Sequence, residues 1–372
     1  MAGKDLHKDK FDKGTITKLE IFEDYAQAWL PTFIMQGADE IHIFDFFSGP
    51  GYDKNGIPGS PIRLLQKIEE QLGNILVKKT KIVLHLNEYQ PDRISQPKFD
   101  KLQINCNAFC QTQKKFKYFL TIKYYNKDAG ELFDNLLPTI KKYPSLVYLD
   151  QNGVKFVSHK YLKQLESLKV VDFLYFISSS YFKRFSTTSE FKNVLKLDQV
   201  ELENAKYVNM HRLVVQNLTK CLSPNSKLKL FPFTIKKKAN VYGIVFGAKH
   251  YAAVNKFLNI AWKRNSVNGE ANFDIDEDVK KEQLDIFGAK KLSKIEKFEE
   301  ELKDFLVDRK KTNSKEVLLF TFAKGHKAEH AANLLRQLKK KGDLNYESRT
   351  PFLNYENVFK KKNIIDYTIK LK

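Results

Sequence analysis

The stretch Ile41–Pro61, IHIFDFFSGPGYDKNGIPGSP, is the strongest local indication of the architecture. It begins with an almost wholly apolar run, Ile41–Phe47, which is typical of a strand buried on both faces of a parallel sheet. A glycine-rich turn follows, and apolar residues on a helical period predict a helix from about Ile62 to Leu76. A buried strand, a tight turn and a helix in this order predict an α/β protein.

The same alternation continues along the chain. Further strands are predicted over Lys81–Glu88, Phe116–Lys123, Ser145–Asp150 and Val170–Ile177, and further helices over Gly130–Lys142 and His159–Leu168. Two β-rich runs, Leu228–Lys237 and Val241–Gly247, then predict an antiparallel hairpin, in which Pro232 indicates an edge strand or a bulge. Five parallel strands that end in one antiparallel hairpin indicate a doubly wound, methyltransferase-like Rossmann sheet rather than the dehydrogenase type.

Four regions are predicted around this pattern. They are a basic and helical lead over residues 1–40, the Rossmann domain over 41–265, an acidic loop with a charged linker helix over 266–311, and a basic module over 312–372. In the basic module, a short strand in Val317–Ala323, a helix from about Lys327 to Lys341 and strand-like residues after it resemble a winged helix-turn-helix.

Charge gives the first indication of a partner. The 372 residues include 64 Lys+Arg against 44 Asp+Glu, a net charge of +20 that favours nucleic acid. A lysine-rich proteome would produce the same surplus. No apolar run approaches the ~20 residues that span a bilayer, and the lysine-rich start has no apolar signal-peptide segment. We therefore expect a cytoplasmic protein that does not bind or span a membrane.

A nucleoside cofactor is predicted at the glycine turn. The candidate residues are Asp45, Ser48, Gly49, Gly51 and Glu88. The glycines allow the backbone to approach a ligand closely, and a carboxylate at the end of the second strand accepts from ribose hydroxyls in doubly wound folds. Lys54 interrupts the dinucleotide G-x-G-x-x-G pattern, which disfavours NAD. The position of Glu88 fits S-adenosylmethionine, which is the expected cofactor. Alternatively, the glycines serve packing and Glu88 is a surface side chain.

Asp150 is the candidate catalytic residue. It follows the fourth parallel strand, where sheets of this kind present substrate-facing groups, and a carboxylate there orients a nucleophile or acts as a base. Alternatively, it caps a turn with Asn152 and Gly153. The three cysteines, Cys106, Cys110 and Cys221, fit neither a disulfide framework nor a zinc site, so no metal is expected.

The basic module supplies candidate phosphate contacts. These are Lys324, His326, Lys327, Arg336, Lys339, Lys340, Lys341 and Arg349. Nearby aromatic residues, Tyr346 among them, are candidates for stacking on unpaired bases. The alternative is a solvated basic helix face with the aromatic rings in the core.

Several stretches in order resemble the three-Cys-motif partner family, TcmP. They are IFEDYAQAWLPTF, FDFFSGPGYDKNGIPGSPIRLL, LNE, YLDQNG followed by KFVS, VDFLYF, KFLNIAWKRNSVNGEANFDI and FAKGHKAEHAANLLRQLKKKG, and they cover roughly residues 18–345. The resemblance implies a methyltransferase-like Rossmann protein. It also implies a radical-S-adenosylmethionine-like three-Cys-motif protein as neighbour, and work on nucleic acid in bacterial or phage repair, modification or defence.

One departure from the family bears on activity. The family usually has Asp-Pro, an aromatic residue and Gly at the fourth strand, whereas this chain has Asp150, Gln151, Asn152 and Gly153. Amino-methyltransferases use the proline-aromatic turn to aim at the target nitrogen. Two functions therefore stay open, a methyltransferase and an inactive Rossmann scaffold that binds nucleic acid and recruits a partner. A nuclease is disfavoured, because no carboxylate cluster stands out.

Overall fold

The structure is a computed structural model that describes residues 10–91, 97–150, 156, 158–178, 206–237, 240–279 and 292–370. The chain forms two compact units, Met1–Lys249 and His250–Lys372. The N-terminal helix therefore belongs with the sheet. The boundary predicted from the sequence fell after the helix Tyr251–Arg264, but this helix belongs with the second unit. It does so because its Trp262 ring packs against His326 and His330.

The first unit contains a sheet with seven strands among the described residues. They are β1 (Glu40–Asp45), β2 (Lys81–Asn87), β3 (Leu120–Tyr125), β4 (Ser145–Leu149), β5 (Val171–Ser178), β6 (Lys229–Lys237) and β7 (Asn240–Ala248), in the order β3-β2-β1-β4-β5-β7-β6. Strands β1 to β5 pair in parallel, and β7 pairs antiparallel with both β5 and β6. The predicted methyltransferase-like Rossmann sheet with a terminal antiparallel hairpin is confirmed. Pro232 lies on the edge strand β6, where a missing N–H is tolerated.

Helices flank this sheet. They are α1 (Lys13–Met35), α2 (Ser60–Glu70), α3 (Leu72–Lys78), α4 (Pro97–Thr112), α5 (Ala129–Lys142), α6 (His159–Ser167) and α7 (Met210–Lys220). No prediction covered α4 or α7. The strand predicted from Phe116 begins only at Leu120, because Lys114–Tyr118 forms a 3-10 turn that buries the Phe116 ring.

Helix α1 is fixed to the sheet by aromatic side chains. The Phe22 and Tyr148 rings stack with centroids 4.5 Å apart, and the Tyr148 hydroxyl donates to the Phe22 carbonyl at 2.6 Å. The buried Tyr25 hydroxyl donates to the Asp172 carboxylate at 2.7 Å. Each ring contributes about 2–3 kcal/mol of burial, and its polar tip keeps a partner. Residues of α1 are thereby held beside β4 and β5.

The second unit has its own small sheet. Its elements are α8 (Tyr251–Arg264), α9 (Lys294–Arg309), β8 (Lys311–Asn313), α10 (Ser314–Ala323), α11 (Ala328–Lys341), β9 (Leu344–Asn345) and β10 (Asp366–Ile369). The strands pair antiparallel in the order β8-β10-β9. The strand predicted in Val317–Ala323 is wrong, because this run lies in α10. The Asn313 side chain caps that helix by accepting from the N–H groups of Lys315 and Glu316, both at 3.1 Å.

No helix among the described residues is long and apolar enough to cross a membrane.

The pairing of β5 with β7 depends on a close approach at Gly247, which faces Phe173 across the two strands. A Cβ at residue 247 would lie 2.0 Å from the Phe173 ring. We expect Gly247→Ala to lower the free energy of unfolding by about 1–3 kcal/mol, because the buried ring must shift. Denaturant titration measures this change.

Gly73 in α3 provides the matched control, because a Cβ there would meet nothing within 4 Å. Gly73→Ala should raise the free energy of unfolding by up to about 1 kcal/mol through helix propensity. Equal stability of Gly247→Ala and the wild type would contradict the packing of β5 against β7.

Candidate functional site

The candidate site lies where the chain reverses direction across the sheet. From β1 the chain proceeds to β2 and β3 on one side and then to β4 and β5 on the other, so the switch point lies between β1 and β4. In open α/β sheets, ligands bind at the carboxyl ends of the strands at this point. Asp45 ends β1, Glu88 follows β2 and Asp150 follows β4. The three predicted carboxylates are therefore at the same edge.

Asp45 is the most deeply placed of the three. Its side chain is buried, and it accepts from the Ser60 hydroxyl at 2.6 Å and from the Phe47 N–H at 3.1 Å. Burial raises the pKa of Asp45 from 3.8 to about 6, and the negative charges of Asp150 and Glu88 add to this rise. Asp45 thus joins the end of β1 to the start of α2. Near neutral pH the carboxylate is mostly ionised, and its burial then lowers the free energy of unfolding.

The glycine turn presents backbone toward this edge. Gly49 and Gly51 have φ values of 64° and 97°, a region that favours glycine. A Cβ on Gly51 would lie 3.2 Å from the Asn105 Cβ. The Gly49 N–H donates to the Glu88 carboxylate at 2.9 Å, so the structure brings these two predicted cofactor residues together.

Ser48 shapes the turn from within. Its buried hydroxyl donates to the Asp45 carbonyl at 3.0 Å, and its N–H donates to the Asn87 carbonyl at 2.9 Å. Each of these bonds ties the turn to the end of a strand. Ser48 therefore lies at the predicted place, in a position that fixes the course of the backbone.

Two polar residues of the site were not predicted. The Asn87 side chain donates to the carbonyls of Phe46 and Lys127, both at 3.1 Å, and joins the loops that follow β1 and β3. The Asp53 side chain accepts from the N–H groups of Asn55 and Ile57, both at 2.8 Å, and closes the glycine turn. An Asx side chain next to a glycine-rich segment is the sequence signal that favours such turns.

Asp150 is ion-paired with a residue far away in the sequence. Its Oδ2 pairs with the Nζ of Lys18 on α1, and that Nζ lies 4.4 Å from the centroid of the Phe176 ring. Lys18 is only 6% exposed, so the ammonium group is enclosed by the sheet unit. An internal cation thus compensates the predicted catalytic carboxylate. The predicted turn partners Asn152 and Gly153 lie outside the described residues.

The predicted phosphate contacts of the second unit fall into two groups, side chains engaged inside the unit and side chains nearer its surface. His326 is 2% exposed and its ring stacks on Phe298 at 4.1 Å, and burial lowers its pKa to about 2. A neutral, buried ring does not contact phosphate, so this prediction is wrong. Lys339 donates to the carbonyls of Tyr346 and Ser348 at 2.7 and 2.9 Å, which makes it an internal clamp. Tyr346 is buried, so it is not a stacking platform.

The other predicted cations lie nearer the surface. Lys324 pairs with Glu301 at 2.9 Å and Lys327 pairs with Glu329 at 2.6 Å. Arg336, Lys340, Lys341 and Arg349 are exposed. Contact of these residues with nucleic acid stays a prediction.

Metal-binding groups are scarce in the part of the chain that the structure describes. No cluster of three or more His, Cys, Asp or Glu residues there could hold a metal ion. Cys106, Cys110 and Cys221 are free thiols, and burial raises the pKa of Cys110 to about 11. Cys110 is therefore protonated at neutral pH.

Comparison with known proteins adds little to this geometry. No protein-family model matches the chain, and no curated protein sequence matches it. Among solved structures, it is similar to the O-methyltransferase TomG of Streptomyces achromogenes, involved in tomaymycin synthesis, in complex with S-adenosylmethionine. The identity is 9% over 64% of this chain and 90% of that chain, with a TM-score of 0.32. It is also similar to Trm1 of Pyrococcus horikoshii in complex with S-adenosyl-L-methionine, at 11% identity over 66% of this chain and 59% of that chain, with a TM-score of 0.32. The fold assignment therefore rests on the strand order itself.

The raised pKa of Asp45 predicts a pH-dependent stability. Because this pKa is about 6 in the folded chain against 3.8 otherwise, ionisation of Asp45 opposes folding. Its favourable contribution is complete below about pH 4 and is lost as the pH rises through 6. Asp45→Asn, which stays neutral, should therefore raise the free energy of unfolding by up to about 2–3 kcal/mol at pH 7.5, and by almost nothing at pH 4.

Urea titrations of Asp45→Asn and the wild type at both pH values measure this difference. The exposed Asp39 in the same unit provides the control, and Asp39→Asn should show no such pH dependence. A stability gain of Asp45→Asn that is equal at pH 4 and pH 7.5 would contradict the buried, ionised carboxylate.

Proposed function

We propose that this chain is an S-adenosylmethionine-binding, methyltransferase-like protein that acts on or with nucleic acid. The observation that carries the proposal is the contact between the Gly49 N–H and the Glu88 carboxylate beside the switch point of the sheet. It unites a glycine-rich turn with an acidic strand end, the two elements that hold a nucleoside cofactor in doubly wound folds.

The residues at this edge suit that cofactor. Glu88 offers a carboxylate for two ribose hydroxyls, and the glycine turn admits a ligand close to the backbone. Burial is the main cause of the raised pKa of Asp45, and repulsion from the charges of Asp150 and Glu88 adds to it. A cationic ligand relieves this repulsion, and S-adenosylmethionine carries both a sulfonium and an ammonium group. When bound, the cofactor supplies an electrophilic methyl group, and the chain supplies orientation and exclusion of water.

Nucleic acid as substrate is supported by the charge and by the second unit. The net charge is +20, and residues 311–372 contain 14 Lys+Arg against 6 Asp+Glu. The order α9-β8-α10-α11-β9-β10, with the sheet order β8-β10-β9, supports the proposal that this unit is a winged helix. Because the sequence resembles TcmP, we also propose a cytoplasmic role in bacterial or phage repair, modification or defence. In this role the chain would act together with a radical-S-adenosylmethionine-like three-Cys-motif protein.

A second candidate function is favoured by the pair of Lys18 and Asp150. The Asp150 carboxylate is engaged in an internal ion pair, and the family's proline-aromatic turn is missing from the sequence after it. In this alternative, the sheet is an inactive scaffold that binds nucleic acid and recruits the partner.

Calorimetric titration with S-adenosylmethionine and S-adenosylhomocysteine tests the proposal, with NAD as a ligand that should not bind. The wild type should bind the first two. Glu88→Ala should weaken binding by about tenfold to a hundredfold, because one or two charge-assisted hydrogen bonds are lost. The exposed Glu131 provides the control, and Glu131→Ala should bind as the wild type does.

Equal affinity of Glu88→Ala and the wild type would show that the cofactor, if bound, lies elsewhere. A wild-type chain that binds nucleic acid but neither S-adenosylmethionine nor S-adenosylhomocysteine would favour the scaffold.

A further inference from the structure

Helices α10 and α11 are joined by a short connection of the helix-turn-helix type. Helix α10 ends at Ala323 and α11 begins at Ala328, so four residues connect them, and one of these is Gly325 with a φ of 73°. A connection of three or four residues that contains glycine is typical of this motif. In DNA-binding proteins with the motif, the second helix is the one that enters the major groove. Here that helix is α11.

The two faces of α11 differ sharply in chemistry. The buried face consists of Ala331, Ala332, Leu334, Leu335 and Leu338. The exposed face consists of Glu329, Asn333, Arg336, Gln337, Lys340 and Lys341. At three- and four-residue spacing, these exposed side chains form one continuous surface along the helix. In contacts with DNA, arginine and lysine read guanine, asparagine and glutamine read adenine, and glutamate accepts from cytosine.

Charge at this surface suits a polyanion. The acidic member of the face, Glu329, is paired with Lys327 at 2.6 Å. In the segment between β9 and β10, Glu356 is paired with Lys360 at 2.8 Å. The exposed Asp343 and Glu347 follow the helix, but residues 327–349 contain six Lys+Arg against three Asp+Glu, so the charge around the helix stays positive.

Arg336 is held in a defined direction. One of its terminal nitrogens, Nη1, donates to the Asn333 Oδ1 at 2.6 Å, one helical turn earlier. The planar guanidinium has further donors, and two of them match the O6 and N7 atoms of a guanine. Asn333 is therefore a positioning residue for Arg336, and a lysine at 336 would keep the charge without the fork.

We infer that α11 is a recognition helix that reads base sequence in the major groove of duplex DNA. Lys340 and Lys341 contact phosphates on either side of the bases that Arg336 and its neighbours read. Duplex RNA is disfavoured because its major groove is too narrow for side chains to read. The inference rests on the nucleic-acid part of the proposed function and is independent of the cofactor.

Selection of binding sequences by the full chain from a randomised duplex DNA pool, without S-adenosylmethionine, tests this. A consensus sequence should be enriched. On the consensus duplex, Arg336→Lys should lose about tenfold in affinity or more and should relax the preference at one base pair. Lys340→Ala should instead weaken binding to all sequences alike and reduce the salt slope by about 1. Lys101→Ala, an exposed lysine of α4, should change neither property.

Two results would overturn the inference. One is a pool without consensus, or a preference for single strands or RNA over duplex DNA. The other is an Arg336→Lys variant with wild-type affinity and sequence preference. Because the selection contains no cofactor, its failure leaves the calorimetric result intact, and a failure to bind S-adenosylmethionine leaves the selection intact.

Discussion

The hydrogen bond from the Ser60 hydroxyl to the buried Asp45 carboxylate joins the end of the central strand β1 to the first turn of α2. Between these two anchors the chain must form a loop, and Gly49 and Gly51 allow it to turn toward Glu88. The course of the loop and its contact with Glu88 thus depend on one buried acid. Asp45 opposes folding when it is ionised, whereas a neutral asparagine would make similar hydrogen bonds. A structural role alone therefore does not require an acid at this position.

The N-terminal helix imposes a second constraint on the same edge. Aromatic contacts of Phe22 and Tyr25 fix α1 to the sheet, and this brings the Lys18 ammonium to Asp150. If Asp150 faces a substrate, the ion pair with Lys18 fixes the direction of the carboxylate and compensates its charge. In an inactive scaffold, the pair simply binds α1 to the sheet.

The sequence predicted the features that follow from local pattern. Buried apolar runs predicted the parallel strands. Because Asp45 and Glu88 lie at the carboxyl ends of two such strands, both were predicted at one edge of the sheet. Features that depend on tertiary contacts were missed. The apolar run in α10 fits a strand or a helix equally, since its length does not discriminate between them. Lys18 lies 132 residues from Asp150, and no spacing connects them. The burial of His326 was missed because the Phe298 ring that covers it belongs to α9, which is distant in the sequence.

We propose that the carboxyl ends of β1 and β2 hold the adenosine part of S-adenosylmethionine. Crystals of the full chain grown with S-adenosylhomocysteine test this proposal. We expect both ribose hydroxyls within hydrogen-bond distance of the Glu88 carboxylate, with the ligand against the backbone of Gly49 and Gly51. A ligand bound elsewhere in the chain, or a ribose that contacts neither Glu88 nor the glycine turn, would contradict it.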